Sequence, residues 1–185
     1  ANTNDDQGNA YVIFGSTSTF TSVFDLATLN GTNGFRVEGV DIGDTSGEVV
    51  SGAGDVNGDG FDDLIIGAKR AEPGENTGTS EGESYVIFGT DSGFPASLKL
   101  ADLDGTNGFR INGIDPRDNS GVAVSGAGDV NADGIDDFIV GANQAEGAGV
   151  DTLNFSGESY IVFGRSGGFG PEFNLSDLDG NSGFR

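Results

Sequence analysis

The chain has 185 residues, enough for one domain of ordinary size, and 30 Asp and Glu against 8 Lys and Arg give a net charge of −22. This acidity argues against nucleic-acid and anionic-membrane partners, which require clustered cations. Cys and His are absent from the sequence, which excludes disulfides, thiolate zinc sites and nucleophile systems that depend on histidine.

The chain begins with the polar stretch ANTNDDQ, which lacks the apolar core of a secretory signal peptide. No apolar run approaches the ~18 residues that are needed to cross a bilayer, so we expect no membrane insertion. The chain is therefore expected to be a mature secreted protein, a cytosolic protein, or a piece of a longer one.

Internal repeats organise the sequence. Two motifs occur three times, and the copies of each are separated by 74 and 75 residues. These copies are AYVIFG, SYVIFG and SYIVFG at 10–15, 84–89 and 159–164, and GTNGFR, GTNGFR and GNSGFR at 31–36, 105–110 and 180–185. We predict a half repeat of two strands at 1–40 and two fuller repeats at 41–114 and 115–185.

Short β-branched and aromatic segments, bounded by Gly, Asn, Asp or Ser, predict the strands. In chain order they are 34–40, 48–54, 62–68, 83–89, 108–114, 122–128, 136–142 and 158–164, with another half-repeat strand near 10–15. Helical periodicity is weak. The stretches at 24–31, 98–105 and 173–180 are compatible with one helical turn or with an irregular connection.

Four antiparallel strands per repeat predict an all-β fold of β-propeller blades, about two and a half of them in this chain. A closed propeller has ~4–8 blades. We therefore expect a partial propeller or a fragment of a larger one. Self-association through open strand edges is the alternative.

Two acidic stretches, DVNGDGFDD at 55–63 and DVNADGIDD at 129–137, occupy the same place in the two fuller repeats. Each has oxygen-bearing side chains at positions one, three, five and nine and a glycine at position six. The candidate metal ligands are the side chains of Asp55, Asn57, Asp59, Asp63, Asp129, Asn131, Asp133 and Asp137, and the carbonyls of Phe61 and Ile135.

This pattern favours calcium, which takes several oxygen ligands in adaptable geometry. Glycine at position six permits the sharp turn. Asp62 and Asp136 should face away from the ion, since successive side chains of an extended segment alternate. Magnesium demands stricter octahedral geometry and is less favoured. Asp, Asn and Gly also favour turns without metal, but clustered carboxylates in one loop repel one another unless a cation neutralises them.

At these residues the chain resembles the FG-GAP repeat family, the blades of integrin α-subunit propellers and their bacterial relatives. The resemblance is carried by GAGDVNGDGFDDLIIGA at 52–68 and GAGDVNADGIDDFIVGA at 126–142. It implies a propeller with calcium in hairpin loops on one face, two ions per chain, held by the residues named above.

We expect a non-catalytic adhesion module that binds a protein or glycan. We place it outside the cell, where millimolar calcium fills modest sites. A structural surface-layer or fibre array, or an accessory segment of a larger secreted enzyme, are the alternatives. Candidate carboxylates for an enzyme are Glu48, Glu83 and Glu158, but Glu83 and Glu158 recur in the repeat and read as scaffold.

Overall fold

The computed structural model describes residues 7–72, 79–146 and 155–185. Within these ranges the chain is built from short strands and three single turns of 3-10 helix. The strands are β1 (Asn9–Ile13), β2 (Gly34–Glu38), β3 (Val49–Gly54), β4 (Asp63–Ala68), β5 (Glu83–Ile87), β6 (Ser97–Lys99), β7 (Gly108–Asn112), β8 (Ser120–Gly128), β9 (Asp137–Ala142), β10 (Glu158–Val162), β11 (Glu172–Asn174) and β12 (Gly183–Phe184). No helix in these ranges has the length and apolar character of a membrane span.

The strands of the described ranges form three sheets, one for each repeat. Their strand orders are β1-β2-β6, β11-β7-β5-β4-β3 and β12-β10-β9-β8. Consecutive strands of a repeat pair in antiparallel fashion, as β3 does with β4, β4 with β5 and β5 with β7. The predicted all-β architecture of about two and a half propeller blades is therefore confirmed, and the sheets do not close into a ring.

Of the three stretches that could be a helical turn or an irregular connection, 24–31 contains a 3-10 turn at Leu26–Thr28. The other two, 98–105 and 173–180, each combine the end of a short strand with such a turn. β6 and β11 run parallel to β2 and β7, so each lies at the edge of the sheet of the preceding repeat. A 3-10 turn follows directly at Leu100–Asp102 and Leu175–Asp177. The middle sheet therefore has four antiparallel strands and a fifth, parallel strand that the next repeat supplies.

The apolar core lies between successive sheets. Ile65, Val86 and Phe109 of the middle sheet pack with Phe138 and Tyr160 of the third sheet, and all five are at most 1% exposed. A second cluster joins the first and middle sheets; its buried members are Phe35, Val37, Ile66, Ala68, Ala71, Tyr85, Ile87 and Leu100. The continuous apolar run of β5 is buried at every position, as expected for a strand covered on both faces.

The innermost strands β3 and β8 lie side by side. A Cβ on Gly126 would stand 2.9 Å from the carbonyl oxygen of Gly52, so the backbones of the two strands approach closely. Because β3 leads into loop 55–63 and β8 into loop 129–137, this contact brings the two acidic loops to the same end of neighbouring sheets.

Candidate metal centre

Each acidic loop connects the first two strands of its repeat. The pairing of β3 with β4 shifts register between Gly52 and Gly54, and the pairing of β8 with β9 shifts between Gly126 and Gly128. A bulge of this kind twists a hairpin and re-aims the residues that follow it. In both repeats the loop begins at the next residue, Asp55 or Asp129.

The first loop wraps around the carboxylate of Asp55. Asp55 Oδ1 accepts hydrogen bonds from the amides of Gly58 at 2.8 Å and Asp59 at 3.0 Å, and Oδ2 accepts one from Gly60 at 2.8 Å. Asn57 Oδ1 accepts from the Asp59 amide at 2.9 Å. The loop backbone therefore turns its amides toward position one, and the Asp59 amide, which donates to both Asp55 and Asn57, brings an oxygen of position one close to an oxygen of position three.

Asp59 completes this arrangement at position five. Its Oδ1 accepts from the amide of Phe61 at 2.9 Å, and its Oδ2 accepts from the side-chain amide of Asn57 at 2.9 Å. Gly60 has φ +94°, a left-handed conformation that glycine adopts without strain. Asp59 is exposed and Asp55 and Asn57 are half-buried, so a cation could reach all three from solvent.

The second loop repeats the geometry of the first. Asp129 accepts from the amides of Asp133 at 3.0 Å and Gly134 at 2.9 Å. Asn131 Oδ1 accepts from the Asp133 amide at 2.9 Å, and Asp133 Oδ1 from the Ile135 amide at 2.9 Å. The two loop sequences differ at two of nine positions, and four of these bonds recur in both loops. Phe61 and Ile135 differ in side chain but donate through their backbone amides, so the exchange leaves the bond in place.

The position-nine aspartates lie beneath the loops and are fully buried. Asp63 accepts from the amides of Val56 at 3.0 Å and Gly89 at 2.8 Å, one on each carboxylate oxygen. Asp137 does the same with Val130 at 2.8 Å and Gly164 at 2.9 Å. Each carboxylate therefore ties its own loop to the end of the third strand. Since an ionised carboxylate has about four acceptor sites, each of these aspartates retains lone pairs that could bind a metal ion.

Burial raises the pKa of Asp63 to about 7. The amides of Gly89 and Val56 oppose the shift, and the charges of Asp59 and Asp55 add to it. The ion pairs of the described residues join other carboxylates, at positions 38, 48, 83, 158 and 172, to Lys or Arg and leave the loop carboxylates without a basic partner. The loop is consequently a site of uncompensated negative charge.

Over the same ranges, no group of three or more Asp, Glu, His or Cys side chains forms a ready-made metal centre. The oxygen donors of each loop are mixed instead, two carboxylates with an amide oxygen between them and a buried carboxylate below. Such all-oxygen sets with few charges suit a hard divalent cation better than a transition metal. The roles of the Phe61 and Ile135 carbonyls stay predictions.

The other carboxylates that the sequence singled out belong to the scaffold. Glu48 pairs with Lys69 at 2.7 Å. Glu83 accepts from the hydroxyl of Tyr85, and Glu158 from Tyr160 at 2.7 Å. Each of these three carboxylates therefore has a partner within its own sheet.

Sequence reasoning missed one contact of the site. Asp136 was expected only to face away from the metal of its own loop. Its carboxylate in fact accepts a hydrogen bond from the amide of Asp55, in the other loop, at 3.0 Å. The only signal in the sequence was the repeated Asp-Asp pair at the end of each loop, which does not reveal the partner.

Comparison with known proteins identifies a described repeat around the first loop. The family model described as FG-GAP repeat matches residues 46–87, which span β3, the first loop, β4 and β5. The chain is 32% identical over 139 residues, 75% of its length, to integrin alpha-4 of Xenopus laevis. It is 35% identical over 125 residues, 65% of its length, to integrin alpha-PS2 of Drosophila melanogaster.

Another relative is an enzyme by name. The chain is 36% identical over 115 residues, 62% of its length, to phosphatidylinositol-glycan-specific phospholipase D of Bos taurus. The aligned part is 13% of that phospholipase, 12% of integrin alpha-4 and 8% of integrin alpha-PS2. The chain therefore spans only a small part of each relative.

Proposed function

The chain belongs to the FG-GAP repeat family, and from this premise we propose that it is a calcium-stabilised, non-catalytic binding segment of a β-propeller. The observation that carries the proposal is the arrangement of Asp55, Asn57 and Asp59 in one loop and its repetition in the other. Carboxylate and amide oxygens held together in one short loop, without a basic partner, favour a bound cation.

Calcium fits the donor set better than magnesium. The loops offer carboxylate, amide and main-chain oxygens, and calcium accepts six to eight such ligands in variable geometry. Magnesium requires a tighter octahedron and retains its waters. In the first loop Asp55, Asn57, Asp59 and Asp63 would hold the ion with the Phe61 carbonyl. The corresponding residues of the second loop are Asp129, Asn131, Asp133, Asp137 and Ile135.

Bound calcium would neutralise the loop carboxylates and rigidify the hairpins. The loop is also held by hydrogen bonds of its own residues. The Asp55 carboxylate accepts from the loop amides, and Asp63 connects the loop to Gly89. Hairpins made rigid in this way would present a fixed surface at one end of the sheets. We propose an extracellular location, since millimolar calcium outside cells keeps sites of modest affinity filled.

The resemblance to integrin alpha-4 and integrin alpha-PS2 supports an adhesion-type role, with a protein or a glycan as partner. The net charge of −22 disfavours nucleic acid. Open sheet edges make self-association a further possibility for the chain, and a surface-layer or fibre array is its extended form. Measurement of the molecular mass with calcium and with chelator separates a monomeric module from such an array.

A second candidate role is an accessory segment of a larger enzyme. The observation that favours it is the 36% identity to a phosphatidylinositol-glycan-specific phospholipase D. In that case the segment would support a catalytic region elsewhere in the parent protein, because Glu48, Glu83 and Glu158 are engaged in scaffold contacts. Hydrolysis of phosphatidylinositol-glycan by this chain alone would contradict the non-catalytic proposal.

Titration calorimetry of the metal-free chain with calcium tests the main proposal. We expect two sites per chain and a higher melting temperature when calcium is added. Magnesium at the same concentration is the matched control and should produce a smaller change. Absence of calcium-dependent heat together with an unchanged melting temperature would refute calcium binding.

A further inference from the structure

Asp136 joins the two loops directly. Besides the bond that its Oδ2 accepts from the Asp55 amide at 3.0 Å, its own amide donates to the Asp55 carbonyl oxygen at 3.2 Å. The two bonds hold both peptide groups of the residue at position one of the first loop. Gly54 leaves room for this contact, because a Cβ at that position would collide with the Asp136 carboxylate. Gly128, its counterpart, faces open space.

A second connection runs through the backbone after β10. The Gly164 amide donates to Asp137 Oδ1 at 2.9 Å, and the next amide, that of Arg165, donates to the carbonyl oxygen of Val56 at 3.0 Å. The amide of Val56 donates in turn to Asp63 Oδ2 at 3.0 Å. The position-nine aspartates of the two loops are thus joined by an unbroken series of peptide groups and hydrogen bonds.

We propose that the two loops are thermodynamically coupled, with Asp136 as the positioning residue, so that a calcium ion in either loop raises the affinity of the other. The inference rests on the proposed calcium binding and adds that the two sites do not act independently. An ion in loop 129–137 would order the segment that carries Asp136, and the ordered carboxylate would hold Asp55 in its binding position. By linkage, the effect on the second loop is equal.

Asp136 also contributes its charge to the first site, separately from the coupling. Asp136 is half-buried and places its carboxylate against the start of the first loop, beside Asp55. An added anion strengthens the attraction for a divalent cation in that loop. The substitution Asp136→Asn retains an oxygen acceptor for the Asp55 amide but removes the charge, whereas Asp136→Ala removes both.

The chain supplies a matched control in Asp62. It has the same place in loop 55–63 that Asp136 has in loop 129–137, but it is exposed. Within the described ranges its side chain has no hydrogen bond to another loop. The substitution Asp62→Ala therefore removes the same kind of charge next to a position-nine aspartate without touching the connection between loops.

The test is a set of calcium titrations by calorimetry. Asp133→Ala leaves only the first site and Asp59→Ala leaves only the second, so each yields a single-site binding constant. The coupling factor is the overall two-site constant of the unmodified chain divided by the product of these two constants. We expect a factor of about five or more. It should fall close to one when all three titrations are repeated with Asp136→Ala, be intermediate with Asp136→Asn, and stay unchanged with Asp62→Ala.

The outcomes separate the two proposals. If the unmodified chain takes up no calcium, the proposed function fails and the inference with it. If both loops bind calcium but the factor is already near one, calcium binding stands and the coupling is overturned. If the factor persists in Asp136→Ala and Asp136→Asn, Asp136 is not the positioning residue. Melting curves in chelator identify a variant that does not fold. If Asp136→Ala does not fold, the coupling factor of Asp136→Asn tests the role of Asp136.

Discussion

The rings of Phe109 and Phe169 stack with their centroids 4.1 Å apart and their planes 9° from parallel. Phe109 lies on β7, and Phe169 precedes β11, in the next repeat. Phe35 and Phe94 repeat the arrangement one unit earlier, at 4.3 Å and 11°. Each repeat therefore inserts an aromatic ring into the sheet before it, next to the short parallel strand that it adds to that sheet.

Loss of this stacked pair should be costly. Phe109 is fully buried, and we expect Phe109→Ala to lower the free energy of unfolding by about 3–5 kcal/mol. Phe184 has the same place in the third repeat but is 52% exposed, so Phe184→Ala should cost about 1 kcal/mol or less. Urea unfolding monitored by circular dichroism measures both. Equal losses in the two variants would show that the stacking between repeats does not stabilise the fold.

Single substitutions in the loops should remove one site each. Asp59→Ala and Asp133→Ala each delete the position-five carboxylate of one loop, and calorimetry should then report one calcium ion per chain. Each variant should also lose part of the stabilisation by calcium, which at a concentration of 100 Kd is about 2.7 kcal/mol per site. Asp91→Ala, in an exposed connection outside the loops, is the control and should retain two sites. Two sites in either loop variant would contradict the assignment.

Arg110 compensates a buried carboxylate. Its Nη1 lies 3.6 Å from Glu83 Oε1, and its Nη2 contacts Glu172 of the next repeat. Burial raises the pKa of Glu83, which is 3% exposed, while the hydroxyl of Tyr85 and the charge of Arg110 oppose the shift. Arg110→Ala would leave the buried charge without its partner and should cost about 3 kcal/mol.

The repeat provides the control for this prediction. Arg36, at the equivalent place in the half repeat, is 44% exposed and pairs with Glu38 on its own strand, so Arg36→Ala should cost less than about 1 kcal/mol. Adding Glu83→Gln to Arg110→Ala should recover part of the loss, because it removes the stranded charge. A double variant no more stable than Arg110→Ala would rule out this electrostatic explanation. Chemical denaturation of the three variants and of the unmodified chain measures these differences.

Asp118 should make the metal-free protein more stable in mild acid. Burial raises its pKa to about 6, and nearby Asp115, Glu158 and Glu146 add to the effect. Its usual value is 3.8, so the folded state binds the proton more tightly than the unfolded chain does. Stability from this group is therefore complete below about pH 4, declines as pH rises to about 6 and is lost above that.

Thermal melts in chelator between pH 7.5 and 5 measure this effect. The melting temperature should rise as the pH falls. Asp118→Asn, which keeps an oxygen acceptor for the Asp115 amide, should raise the stability at pH 7.5 by about 1 kcal/mol or more and flatten the pH dependence. An unchanged profile in Asp118→Asn would show that another carboxylate is responsible.

The repeat, most strands and the two loops could be predicted from the order of residues. The spacing of Tyr11, Tyr85 and Tyr160 defined the unit, and alternation of apolar and turn residues located most strands within two residues of their bounds. The loop side chains were recognisable because hydrogen bonds such as those of Asp55 join residues at most five positions apart. Interactions between residues close in the chain produce a short sequence motif, and a motif that occurs twice is easier to recognise.

The way in which the repeats join became known only from the three-dimensional fold. The three-residue strands β6 and β11 carry little pattern, and nothing local indicates that each pairs in parallel with a strand of the preceding unit. Asp136 and Asp55 are 81 positions apart, and Arg110 and Glu172 are 62. Such contacts depend on how one sheet is placed against the next. That placement is set by packing between residues far apart in the chain, such as the buried ring of Phe109 against Phe169.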